Sequence, residues 1–80
     1  MTEDASVAQA RTLLVSLYEH VSEVSQNMAK TEHLIRHTPK HSSTHRHHHR
    51  RAAAMRRDLY EAHRLIEVIH HRYPTTRDAR

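Results

Sequence analysis

"RHTPKHSST", residues 36–44, decides whether this chain is one long rod or a rod folded back on itself. Apolar residues recur at helical spacing on both sides of it. Pro39 lacks the backbone N–H that a helix interior uses, and it pushes Thr38 away from helical conformation. Ser42, Ser43 or Thr44 then offers a hydroxyl that can cap a new helix. The boundary is loose by several residues, because Thr38-Pro39 can itself open a helix. The reading is a helix over about residues 4–37, a basic, histidine-rich turn over about 38–44, and a helix over about 45–73.

Upstream of the break, Val7, Ala10, Leu14, Leu17, Val21, Val24, Met28 and Ile35 follow alternating steps of three and four, with Thr31 as the polar member. Downstream, Ala52, Met55, Leu59, Ala62, Ile66, Ile69 and Tyr73 repeat the pattern. Such a stripe is the seam of a coiled coil. Pro74 stops the second helix. At the start of the first, Ser6 with Gln9 fits a capping box, and Thr2-Glu3-Asp4 also suits a helix N-terminus.

Folding the chain at the break sets Met28 opposite Met55. Val24 then faces Leu59, Val21 faces Ala62, Leu17 faces Ile66, Leu14 faces Ile69 and Ala10 faces Tyr73. This is one coincidence of phase, and a slip of one heptad also aligns the stripes. It favours an antiparallel hairpin of coiled-coil type over a continuous rod.

Composition agrees. The 80 residues contain no glycine, two prolines and no cysteine, so tight hairpin turns, disulfides and thiolate metal sites are excluded. The fold class is all-α. A single domain occupies residues 1–73, and residues 74–80, "PTTRDAR", read as a flexible tail. No stretch approaches the ~20 apolar residues of a membrane span. The acidic start "MTEDAS" does not resemble a secretory signal, which makes the cytoplasm the expected location.

The apolar content exceeds one seam. Leu13, Tyr18, Leu65 and Val68 thicken the end near the termini, with Leu14, Leu17, Ile66 and Ile69 of the seam between them, and Val15 adds to it. A two-helix hairpin cannot cover all of these, and each fully buried aliphatic side chain contributes ~1.5–3 kcal/mol. Self-association follows as an expectation, most simply a dimer forming a four-helix bundle. The plainer alternative leaves some of them wet, as scattered surface apolar residues often are.

Charge is segregated. Up to residue 31, Glu3, Asp4, Glu19 and Glu23 outnumber Arg11 and Lys30. From Arg36 onward, Lys40, Arg46, Arg50, Arg51, Arg56 and Arg57 meet no acid before Asp58. Six of the 11 histidines, His37, His41, His45, His47, His48 and His49, lie among them. This basic tip suits an acidic protein partner, an anionic lipid surface or the phosphates of a nucleic acid. No aromatic residue lies between Arg36 and Arg57, which counts against stacking on single strands. A self-repelling solvated turn is the bland reading.

Histidine spacing also raises metal. His33/His37 and His45/His49 are i,i+4 pairs that can chelate zinc, nickel or copper, although Pro39 breaks the row and no acid completes a site. Glu67 and His70 have the Glu-x-x-His spacing of a di-metal carboxylate bundle, with Glu19 and Glu23 across the hairpin, but they point off the seam. Pairing of Glu67 with Arg64 and His71 is the simpler account. His20 and His63 flank the seam and can meet across it. No catalytic residues are assigned and no cofactor is required. The sequence reads as a non-enzymatic interaction module.

Overall fold

The computed structural model describes residues 4–78. Helix α1 spans Ala5–Arg36, helix α2 spans Ser43–Arg72, and a short 3-10 helix covers Pro74–Asp78. The two long helices lie against each other as an antiparallel hairpin measuring 60 × 18 × 16 Å.

Local chemistry sets the helix ends. Asp4 caps α1, its carboxylate accepting from the Ser6 N–H at 2.7 Å, so a negative charge sits at the positive end of the helix. At the other end His33 and Arg36 occupy the last turn, where cations are favoured. The Thr38 hydroxyl donates to Leu34 O, occupying a carbonyl that the ending helix leaves without its usual donor. Ser42 caps α2: its hydroxyl accepts from the His45 N–H at 3.0 Å and donates to Pro39 O at 2.7 Å. Arg46 Nη1 reaches back to His41 O at 2.9 Å.

The reversal places His41 in the left-handed region, with φ of 69°. Glycine is the usual residue there because it has no Cβ to clash, and this chain has none. Histidine occupies the position at a conformational cost.

The buried residues follow the seam. Ala10, Leu14, Val24 and Thr31 of α1 and Ala52, Ala62, Ile66 and Ile69 of α2 are buried. Every other seam member is half-buried. Ala10, Leu14, Ile66 and Ile69 form one cluster near the termini, with Leu17, Val21 and Tyr73 packed against it. Among the described residues no large side chain is completely enclosed, which is what two helices alone can provide.

Two cross-helix hydrogen bonds fix the register. Tyr18 Oη meets His70 Nε2 at 3.0 Å on one flank, and His20 Nε2 meets Asp58 Oδ2 at 2.9 Å on the other. These pairs bracket the alignment of Met28 with Met55 symmetrically. A heptad slip would carry both partners about 10 Å apart along the axis.

The C-terminal segment has local structure of its own. Pro74–Asp78 folds back onto the helices instead of trailing away. Arg11 Nη2 donates to Thr75 O at 3.1 Å, Arg77 pairs with Glu67 at 2.8 Å, and Thr76 is buried. The physical reason is polar anchoring: the Thr76 hydroxyl donates to Tyr73 O and meets His70 Nδ1 at 2.9 Å. Residues 79 and 80 of the expected tail lie outside the described residues.

Candidate functional site

The apolar end divides the eight residues expected to self-associate. Leu14, Ile66 and Ile69 are spent inside the hairpin, and Leu17 is half-buried against them. Leu13 (51% exposed), Leu65 (46%), Val68 (54%) and Tyr18 (50%) remain outside. They do not form one patch. Leu13 precedes His20 by seven residues and Leu65 follows Asp58 by seven, so both sit on the His20–Asp58 flank, next to each other across the hairpin. Val68, one turn beyond Leu65, extends that side. Tyr18 lies on the opposite flank with its hydroxyl committed to His70.

The other end is cationic. Arg36, Lys40, Arg46, Arg50, Arg51, Arg56 and Arg57 are all exposed. The ion pairs His20–Asp58, Arg64–Glu61 and Arg77–Glu67 lie elsewhere, and among the described residues none of the seven takes part in one. The first turn of α2 carries no acid, so the positive end of its dipole adds to the charge.

Two histidines of this end were not expected where they are. His45 and His48 precede Ala52 and Met55 by seven residues, continuing the α2 seam toward the turn, and both are half-buried. In the observed register His48 comes opposite Ile35 and His45 opposite Thr38. His48 Nδ1 is buried without a hydrogen-bond partner among the described residues. Withdrawal from water holds the His45 pKa below its ordinary value, helped by His49, His41, Lys40 and His48 nearby. Spacing alone carried this signal. A reading that scores histidine as polar does not see it.

The metal candidates separate. His33 and His37 pack with tilted rings, centroids 4.2 Å apart, and His37 Nδ1 lies 2.8 Å from His33 O, which leaves Nε2 as the nitrogen able to bind a ligand. His45 and His49 meet edge-to-face at 4.5 Å. The two pairs belong to different helices, and among the described residues no three metal-ligating groups converge. Glu67 and His70 are engaged elsewhere: Glu67 binds Arg77, and both ring nitrogens of His70 have partners, Tyr18 and Thr76. Arg64 pairs with Glu61 rather than Glu67. His20, which could have met His63 across the seam, meets Asp58 instead.

Together these features define a class: a small amphipathic helical hairpin with an uncovered apolar flank at one end and an unpaired cationic cap at the other. No protein-family model, curated protein or solved structure matches the chain. Among the described residues, no helix is long and apolar enough to cross a membrane.

Proposed function

We propose that the protein is a non-enzymatic interaction module that self-associates through its apolar flank and engages an acidic partner with its basic, histidine-rich end. The observation that carries this reading is the half-exposed set Leu13, Leu65 and Val68 lying directly beside the buried cluster of Leu14, Ile66 and Ile69. A second hairpin set against this flank completes a four-helix bundle and encloses a core that is thin in one copy. Association through that end leaves the cationic end, toward the far pole of the 60 Å molecule, open to a partner. Such a protein acts by occupancy, bridging or blocking what it binds.

The close i,i+4 pair His33/His37, with His37 Nδ1 turned to the backbone, supports a second reading, transition-metal binding. Two imidazoles supply half of a tetrahedral shell, so zinc, nickel or copper would be held weakly unless another chain completed the site.

The variant Leu13→Glu/Leu65→Glu tests the first reading. Both side chains are half-exposed, so helix content by circular dichroism should persist while light scattering shows loss of the dimer. A variant that keeps the wild-type mass contradicts association through this flank. Tyr60→Ala, 71% exposed on the outer side of α2, serves as the control that should leave the mass unchanged.

A further inference from the structure

Five arginines of α2 are arranged around the side of the helix that α1 leaves free. The seam residues His45, His48, Ala52 and Met55 face α1. Arg46, Arg50 and Arg57, spaced by four and seven, therefore run down the outer side. Arg51 and Arg56 fall on the two flanks. Arg51 shares a shallow depression with Asn27 of α1, and Arg56 shares another on the opposite flank with Glu32 and Arg36. Between the outer arginines the surface is low, formed by the methyl groups of Ala53 and Ala54, both exposed.

We infer that this outer face of α2 binds the major groove of double-stranded DNA, with little dependence on sequence. The inference rests on the acidic-partner half of the proposed function and names that partner. A B-form major groove about 12 Å wide admits one helix of about 10–12 Å diameter. The hairpin offers one, because α1 stands behind α2. Arg51 and Arg56 are placed to reach the phosphates on either side, and the exposed alanines let the helix backbone approach. Arginine matches phosphate oxygens with two parallel N–H donors, which the single lysine of this region cannot do.

The same surface fits an acidic protein less well. Protein interfaces need an apolar or aromatic centre that can be desolvated, and this side offers only the methyls of Ala53 and Ala54 among the arginines, with the single aromatic Tyr60 at the edge of the cationic stretch. Phosphate binding needs no such centre, since released counterions drive it. No Asn or Gln lies between Ser43 and Arg57 to recognise adenine, which removes one route to sequence preference. The deep, narrow major groove of A-form RNA excludes a helix, so the face selects DNA over RNA duplexes.

Fluorescence anisotropy tests this with the full chain, EDTA present, and a labelled mixed-sequence DNA duplex of about 20 base pairs. Affinity should fall with a log–log salt slope near −4, roughly 250-fold between 50 and 200 mM salt. Arg50→Glu/Arg57→Glu should weaken binding at least tenfold with helix content unchanged, whereas Arg72→Glu at the far end of α2 should change it less than threefold. Absence of DNA binding at 50 mM salt, equal binding of an RNA duplex, or indifference to the double substitution overturns the inference. A labelled polyglutamate separates the two levels. Binding of polyglutamate without DNA overturns the duplex assignment and keeps the acidic-partner reading, and binding of neither removes both.

Discussion

His41 carries the turn in a conformation that L-residues avoid, at about 1–2 kcal/mol. Its Cβ is the cause, so His41→Gly should stabilise the hairpin. Glycine returns part of this gain through a freer unfolded chain, which leaves a net of about 0.5–1 kcal/mol. Urea unfolding followed by circular dichroism would read this as a higher midpoint with unchanged slope; a lower midpoint would mean that the imidazole itself supports the turn. Leu14 is the opposite case. It is 5% exposed in the centre of the only described buried apolar cluster. Leu14→Ala should cost about 2–4 kcal/mol, enough to leave so small a fold largely unfolded in the same measurement. An effect under 1 kcal/mol would place the core elsewhere. The sequence displayed Leu14 through its spacing, but gave no notice of His41, because a left-handed residue is set by how a turn closes and not by residue type when glycine is absent.

The elements show where sequence is informative and where it stops. The seam from Val7 to Ile35 and from Ala52 to Tyr73 was legible because hydropathy and period agree there. The pairings Tyr18–His70 and His20–Asp58 were not, since flank contacts depend on the final register and on side-chain reach. Thr76 escaped notice because it lies beyond Pro74, where helical spacing no longer applies. His45 and His48 kept the period and broke the hydropathy, and this has a consequence for α2. Both are half-buried, His48 opposite Ile35 of α1 and His45 opposite Thr38 of the turn, with Lys40, His41 and His49 near His45 and Glu32 as the last acid of α1 before the turn. The His45 pKa is lowered in the folded state, first by desolvation and then by its cationic neighbours. The unfolded chain therefore takes up this proton more readily. The stability that neutral His45 contributes is complete above about pH 6.5 and is lost as pH falls below it toward the lowered folded value. Amide protection factors, which remove the intrinsic slowing of exchange with falling pH, should drop at the turn end of both helices between pH 7 and 5, while those of the Leu14–Ile69 end hold. His45→Leu should abolish the difference. Uniform protection factors across this range would show that the His45 imidazole does not control the tip.

At the scale of the whole molecule, the two ends are chemically unlike because the chain is folded at Pro39. The fold brings Leu13, Leu14 and Leu17 beside Leu65, Ile66 and Ile69, and it gathers the arginines on either side of the turn at the far pole. The presence of both ends was readable from charge and hydropathy. Their division among flanks was not: whether Leu13 and Tyr18 share a patch depends on rotation about the helix axis, and the structure puts them on opposite sides. The proposed function requires the Leu13–Leu65–Val68 flank to be covered by a second copy. Sedimentation equilibrium of the unmodified chain at micromolar concentration and neutral pH tests this most directly. The predicted result is a mass twice the 9.5 kDa of one chain, reverting toward one chain on dilution. A single-chain mass that persists to the highest soluble concentration, with the helices intact, would contradict it.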